Sequence, residues 1–175
     1  MNNNSKIKLG IIGVGRMGIT HYSIINSHPD VEITAVADPS GLILTMLNKY
    51  LPVKTFKDYK DLFKRADIDA VLVCTPPSLH YPIAKLALEK QLHCFVEKPF
   101  TTKYNEASEL ARLFAGTTLI NQVGYVNRFN DVFVKVKELL DAGLIGKLVR
   151  FKSEMFSCTI TNEDEGSGWR ATREN

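Results

Sequence analysis

Three glycines, Gly13, Gly15 and Gly18, stand in the spacing G-x-G-x-x-G, with Val14, Arg16 and Met17 between them. In a loop facing a phosphate, each glycine meets a separate demand. The first permits a tight turn, the second lets backbone approach a pyrophosphate, and the third lets a following helix pack close to the preceding strand. Ile7–Ile12, ahead of the loop, is a short β-branched run, and Gly18–Ser27 has helical periodicity. The glycines therefore fall at a strand-to-helix turn, where a helix N-terminus offers free N–H groups and partial positive charge. Taken alone, they also suit a turn without a ligand. Asp38 shifts the balance. It ends the strand-like run Val31–Ala37, 20 residues beyond Gly18, where a carboxylate accepts hydrogen bonds from the ribose hydroxyls of a dinucleotide. Such a carboxylate repels the 2′-phosphate of NADP, so the expected cofactor is NAD. Asp38-Pro39-Ser40-Gly41 is equally a turn sequence.

Two further groups follow apolar strand-like runs. Thr75-Pro76-Pro77 closes the run Ala70–Thr75, and the prolines stiffen the connection. Glu97-Lys98-Pro99 succeeds His93–Val96. A lysine just beyond a buried strand end lies at the crevice where doubly wound folds bind ligands, and there it can serve in proton transfer. The alternative is an exposed Lys98 paired with Glu97. His80 opens a helix facing the same crevice, although a lone histidine is more often structural or solvated. His21, His28 and His93 lack ligand spacing, so no metal site is expected. No Ser/His/Asp or Cys/His arrangement points to a hydrolase.

These residues need a scaffold that gathers strand ends. Short β-rich runs at Ile7–Ile12, Val31–Ala37, Val53–Phe56, Ala70–Thr75, His93–Val96 and Thr118–Val123 alternate with helical periods. The helical stretches are Gly18–Ser27, Leu42–Tyr50, Asp58–Arg65, Leu79–Lys90 and Asn105–Phe114. Strand–helix alternation of this kind predicts an α/β Rossmann fold, a doubly wound parallel sheet. The pattern changes after about Tyr125. Phe133–Leu140 is amphipathic and helical, and Val149–Cys158 alternates with period two, predicting a strand with one wet or partner-covered face. One strand forms no stable sheet. Residues 1–125 are therefore expected to form the dinucleotide-binding domain. Residues 126–175 are expected to be the truncated start of an α+β open-faced-sheet domain.

Composition excludes several classes. A chain of 175 residues with 45% hydrophobic and 23% charged residues has the makeup of an ordinary globular protein. Its net charge of +3 is scattered along the chain, which argues against nucleic acid or an anionic membrane as partner. No run approaches the roughly 20 apolar residues of a membrane helix, and the N-terminus lacks a signal-peptide pattern. Cys74, Cys94 and Cys158 form neither a disulfide framework nor a metal knuckle. A soluble, cytoplasmic protein is expected.

Together these motifs resemble the Gfo/Idh/MocA oxidoreductase family, the relatives of glucose–fructose oxidoreductase and inositol dehydrogenase. The resemblance runs through Gly13–Gly18, Ala37-Asp38, Cys74-Thr75-Pro76-Pro77 with His80, and Val96-Glu97-Lys98-Pro99. It continues in Gly124-Tyr125, Arg128-Phe129, Gly146-Lys147 and Gly168-Trp169-Arg170. It implies oxidation of a ring hydroxyl of a sugar, nucleotide sugar or cyclitol, or the reverse reduction, with a nicotinamide cofactor. By resemblance, Lys98 is the active-site lysine that hydrogen-bonds the reacting hydroxyl. Thr75 and Pro76 contact the nicotinamide half, with Glu97 and His80 as neighbours. Trp169 and Arg170 belong to a loop covering the cofactor, although a core aromatic and a surface cation would suit the same positions. The family's catalytic Asp and His would lie beyond Asn175, in a domain that binds substrate and pairs subunits into a homo-oligomer. The other reading of the motifs is a nucleotide-binding regulator without turnover, which would have no need of Lys98.

Overall fold

A computed structural model of the protein describes residues 6–154. Six strands, β1 (Ile7–Ile12), β2 (Val31–Ala37), β3 (Lys54–Phe56), β4 (Ala70–Val73), β5 (His93–Val96) and β6 (Asn121–Val123), form one sheet. Between them run α1 (Arg16–Ile25), α2 (Gly41–Tyr50), α3 (Tyr59–Arg65), α4 (His80–Glu89) and α5 (Tyr104–Ala115), and α6 (Asp131–Asp141) follows β6. The sheet order is β3-β2-β1-β4-β5-β6, and every pair is parallel. The chain works outward from β1 in one direction and then resumes at β4 in the other. The switch point therefore lies between the carboxyl ends of β1 and β4, where such folds bind ligands.

Apolar side chains cover both faces, as the continuous apolar strand runs require. On one face Ile12, Val71, Val73, Cys94 and Val96 pack with Leu62 of α3, Ile83 and Ala87 of α4 and Leu110 and Phe114 of α5. On the other, Leu9, Ile11, Ile33, Val36 and Leu72 pack with Val14 and Val53, flanked by Tyr22 of α1 and Ile43 and Leu47 of α2. Adjacent β4 residues thus feed opposite cores, and each fully buried Val, Ile or Leu contributes roughly 1.5–3 kcal/mol.

Helix starts follow local chemistry. Ser40 caps α2 and Asp58 caps α3, each side chain accepting from a backbone N–H of the first turn. The sixth strand is shorter than the predicted Thr118–Val123, because Thr117 Oγ1 accepts the Leu119 N–H in a turn. The chain divides into two compact units, Met1–Gly124 and Tyr125–Asn175. The expected strand Val149–Cys158 is corrected over its described part: residues 149–154 are neither strand nor helix. Alternation sets which side chains share a face. A strand also needs a neighbour for its N–H and C=O groups, and no described segment pairs with this one. Residues 155–158 lie outside the described residues.

Candidate cofactor site and active centre

The chain leaves β1 through Gly13, whose φ of +88° is a left-handed conformation suited to glycine. A Cβ there would lie 2.8 Å from the backbone of Cys74, so the loop rests directly on the chain leaving β4. Gly18 is packed against the loop itself: its Cβ would meet the Gly13 carbonyl oxygen at 2.0 Å. Gly15 differs, with nothing within 4 Å of its would-be Cβ. The loop is thus closed beneath Gly13 and Gly18 and open above Gly15. Arg16 and Met17 follow at the start of α1, which has no side-chain cap and no acidic residue in its first turn. Its leading N–H groups and positive dipole end therefore suit a pyrophosphate.

Asp38 sits at the end of β2 and organises this loop. Its Oδ2 accepts the Val14 N–H at 2.8 Å, and its Oδ1 accepts the Ser40 N–H at 2.8 Å. Each carboxylate oxygen keeps acceptor capacity for a ribose hydroxyl. Across the switch point, Thr75 places Oγ1 in a buried position without a hydrogen-bond partner among the described residues. A buried, unpaired hydroxyl is costly unless a ligand or water completes it. The open space at Gly15, the bare α1 terminus and the Thr75 hydroxyl together fit a dinucleotide.

Glu97 and Lys98 follow β5. Glu97 is buried, at 7% exposure. Its Oε1 pairs with His21 Nε2 at 2.8 Å, and its Oε2 accepts the Lys98 backbone N–H at 3.1 Å. The sequence left open a Glu97–Lys98 side-chain pair, but Glu97 is engaged by His21 instead, and Lys98 is exposed. Glu97 also affects Cys74: burial first, and then the Glu97 charge, push that thiol up to about 12.

His80 meets main chain at both ring nitrogens. It is buried at 1% exposure, with Nδ1 2.7 Å from the Pro99 carbonyl oxygen and Nε2 2.9 Å from that of Thr75. Both nitrogens face main chain, so the ring braces the site from below. Pro76 precedes the short 3₁₀ turn Pro77–Leu79 that leads to His80. Trp169 and Arg170 lie outside the described residues. His21 was missed in the sequence because it lacks ligand spacing. Its available signal was its place three residues past Gly18, one helical turn behind the loop.

A parallel sheet with a glycine loop at its switch point, an acid closing β2 and an exposed lysine after β5 defines a dinucleotide-binding domain of the oxidoreductase kind. The chain belongs to the Gfo/Idh/MocA family, whose pattern, described as an oxidoreductase family with an NAD-binding Rossmann fold, matches residues 7–125. It is 34% identical over 142 residues to an uncharacterized oxidoreductase, YrbE, of Bacillus subtilis, covering 81% of this chain and 42% of that protein. It is 30% identical over 149 residues to scyllo-inositol 2-dehydrogenase (NAD(+)) of the same organism, covering 84% and 44%. Among solved structures, the scyllo-inositol dehydrogenase of Lactobacillus casei with bound NAD(H) and scyllo-inositol aligns with a TM-score of 0.75 at 32% identity. That alignment covers 82% of this chain and 43% of the other. The chain therefore spans less than half the length of the relatives it matches.

Proposed function

We propose that this chain is the NAD-binding part of an oxidoreductase that moves a hydride between nicotinamide and a ring hydroxyl of a cyclitol, sugar or nucleotide sugar. Lys98 carries this reading. It is an exposed cation just past β5, at the ligand-binding edge of a doubly wound sheet, with its own backbone N–H held by Glu97. A cyclitol leads the substrate classes because two of the relatives above are scyllo-inositol dehydrogenases.

When bound, the nicotinamide would supply the hydride acceptor for oxidation of the carbinol, whose hydroxyl proton would pass to a base. The protein positions these parts. Gly15 and the first turn of α1 hold the pyrophosphate, and Asp38 holds the adenosine ribose. Thr75 Oγ1 and Pro76 border the nicotinamide half. Lys98 hydrogen-bonds the reacting oxygen and stabilises the charge that develops on it as the proton leaves. Copies of the protein associate through the region after Tyr125. A cytoplasmic location suits Cys74 and Cys94, which are free thiols among the described residues.

The test is titration of the chain with NAD and NADP, followed by nicotinamide reduction with scyllo- and myo-inositol in a form of the protein that turns over. NAD should bind more tightly than NADP. Lys98→Met should lower kcat by roughly 10²- to 10⁴-fold and leave NAD affinity in place. Tighter NADP binding, or an unchanged kcat, would overturn the reading.

A further inference from the structure

Both oxygens of the buried Glu97 carboxylate are engaged by the protein. Oε1 meets His21 Nε2 at 2.8 Å, and Oε2 accepts the Lys98 N–H at 3.1 Å. An ionised carboxylate only accepts, so the proton of the first contact resides on His21 Nε2. The pocket is closely walled. His21 packs edge-on against Phe95, with ring centroids 5.5 Å apart and planes at 64°. A Cβ on Gly124 would come within 3.1 Å of Glu97 Oε1 and of the Phe95 ring. Glu97 therefore has little room to turn away from either partner.

His21 belongs to α1, the helix whose first turn faces the open space at Gly15. The contact from His21 to Glu97 to Lys98 N–H thus ties that helix to the main chain carrying the Lys98 ammonium. On the other flank of Lys98, the buried His80 ring lies between the Pro99 and Thr75 carbonyls. Lys98 is held on one side through the cofactor helix and on the other from beneath the β4 and β5 ends. Pairing with His21 also explains how a charge survives burial at this position, since a buried carboxylate is retained where it is paired and hydrogen-bonded.

We propose that His21 is a positioning residue for Lys98, acting through Glu97, and that it links occupancy of the dinucleotide loop to the placement of that lysine. The link to occupancy rests on the NAD reading above, whereas the positioning of Lys98 stands on geometry alone.

The experiment is amide and histidine-ring NMR on the whole chain. His21→Phe keeps an aromatic edge against Phe95 and removes the nitrogen, while His21→Gln restores a donor. In the wild type, the ring signal should show the proton on Nε2. In His21→Phe the Lys98 amide proton should move upfield and exchange about tenfold faster, the worth of one ordinary hydrogen bond. Amides of Val71 and Val73 should be unchanged, and His21→Gln should recover most of the Lys98 signal. ADP-ribose, which carries the pyrophosphate but no nicotinamide, should shift the Lys98 amide in wild type and not in His21→Phe. An unmoved Lys98 amide in folded His21→Phe, or no recovery with glutamine, would overturn the proposal. If His21→Phe fails to fold, Glu97→Met, which removes the acceptor, decides: an unmoved Lys98 amide there refutes the contact. Failure of wild type to bind ADP-ribose or NAD would refute the cofactor reading and the link to occupancy, while the amide comparison would still judge the positioning role.

Discussion

Gly15 and Gly18 share one loop, yet changing them should fail in different ways. Gly15 has an ordinary backbone conformation and open space beyond it, so Gly15→Val should fold with stability within about 0.5 kcal/mol of wild type. Its branched side chain would fill the space expected for the pyrophosphate, and NAD binding should be lost. Gly18→Ala would drive a Cβ into the Gly13 carbonyl, costing about 3 kcal/mol or more as backbone gives way. Circular dichroism melts run beside NAD titrations separate the two; undiminished affinity in folded Gly15→Val would make the loop a mere turn. Asp38→Ala should show both effects. Loss of a charged acceptor for the ribose should weaken NAD by roughly 10- to 150-fold. Loss of the Val14 and Ser40 contacts should also lower the melting temperature. Retained preference for NAD over NADP in Asp38→Ala would show that another group selects the cofactor. The glycines and Asp38 were legible in the sequence because a strand, a turn and a helix impose fixed spacings on them. The His21–Glu97 pair joins residues 76 positions apart, and no local period encodes which helix face meets which strand end.

At the scale of elements, strands were read more accurately than their ends. β1, β2 and β5 fall within the predicted limits, since β-branched apolar runs stop where buried ladder positions stop. α1 begins at Arg16 rather than Gly18. Helical geometry there is set by the loop packing on Cys74, which a hydrophobic period does not report. The strand ends also set thiol chemistry. Cys94 lies in β5 and Cys74 just past β4, and burial pushes both thiols from the ordinary 9.0 up to about 12. Between those values the unfolded chain releases thiol protons that the folded chain retains. Their stabilising share is therefore complete below the lower value and is lost as pH rises through the window. Denaturant midpoints should accordingly fall as the solution is made more alkaline across it, and should fall less in Cys94→Ala. At about pH 8, thiol reagents should label Cys74 and Cys94 in a Cys158→Ser variant only as fast as the chain opens. Native labelling at the rate of a free thiol would contradict this burial.

Taken as a whole, the chain concentrates its stability in its first unit. Both hydrophobic clusters are drawn from residues between Leu9 and Leu119. From Tyr125 to residue 154, by contrast, no described residue is buried, and Val149 and Phe151 are 92% and 73% exposed. α6 has a side-chain cap at Asn130 and the surface pairs Lys135–Glu138 and Lys137–Asp141. Such pairs contribute only a few tenths of a kcal/mol each, and an 11-residue helix with no buried residue is marginal in water. The expectation is that residues 1–125 alone keep the melting transition and NAD affinity of the whole chain. In hydrogen exchange on the whole chain at low concentration, amides of Val71–Val73 should open only with global unfolding, while those of α6 and 149–154 should exchange orders of magnitude faster. Raising the concentration tests association through the second unit. If copies cover its apolar side chains, α6 should gain protection in step with an increase in sedimentation coefficient. A monomer at all concentrations with α6 as protected as β4 would refute both expectations, because the second unit would then hold a core of its own.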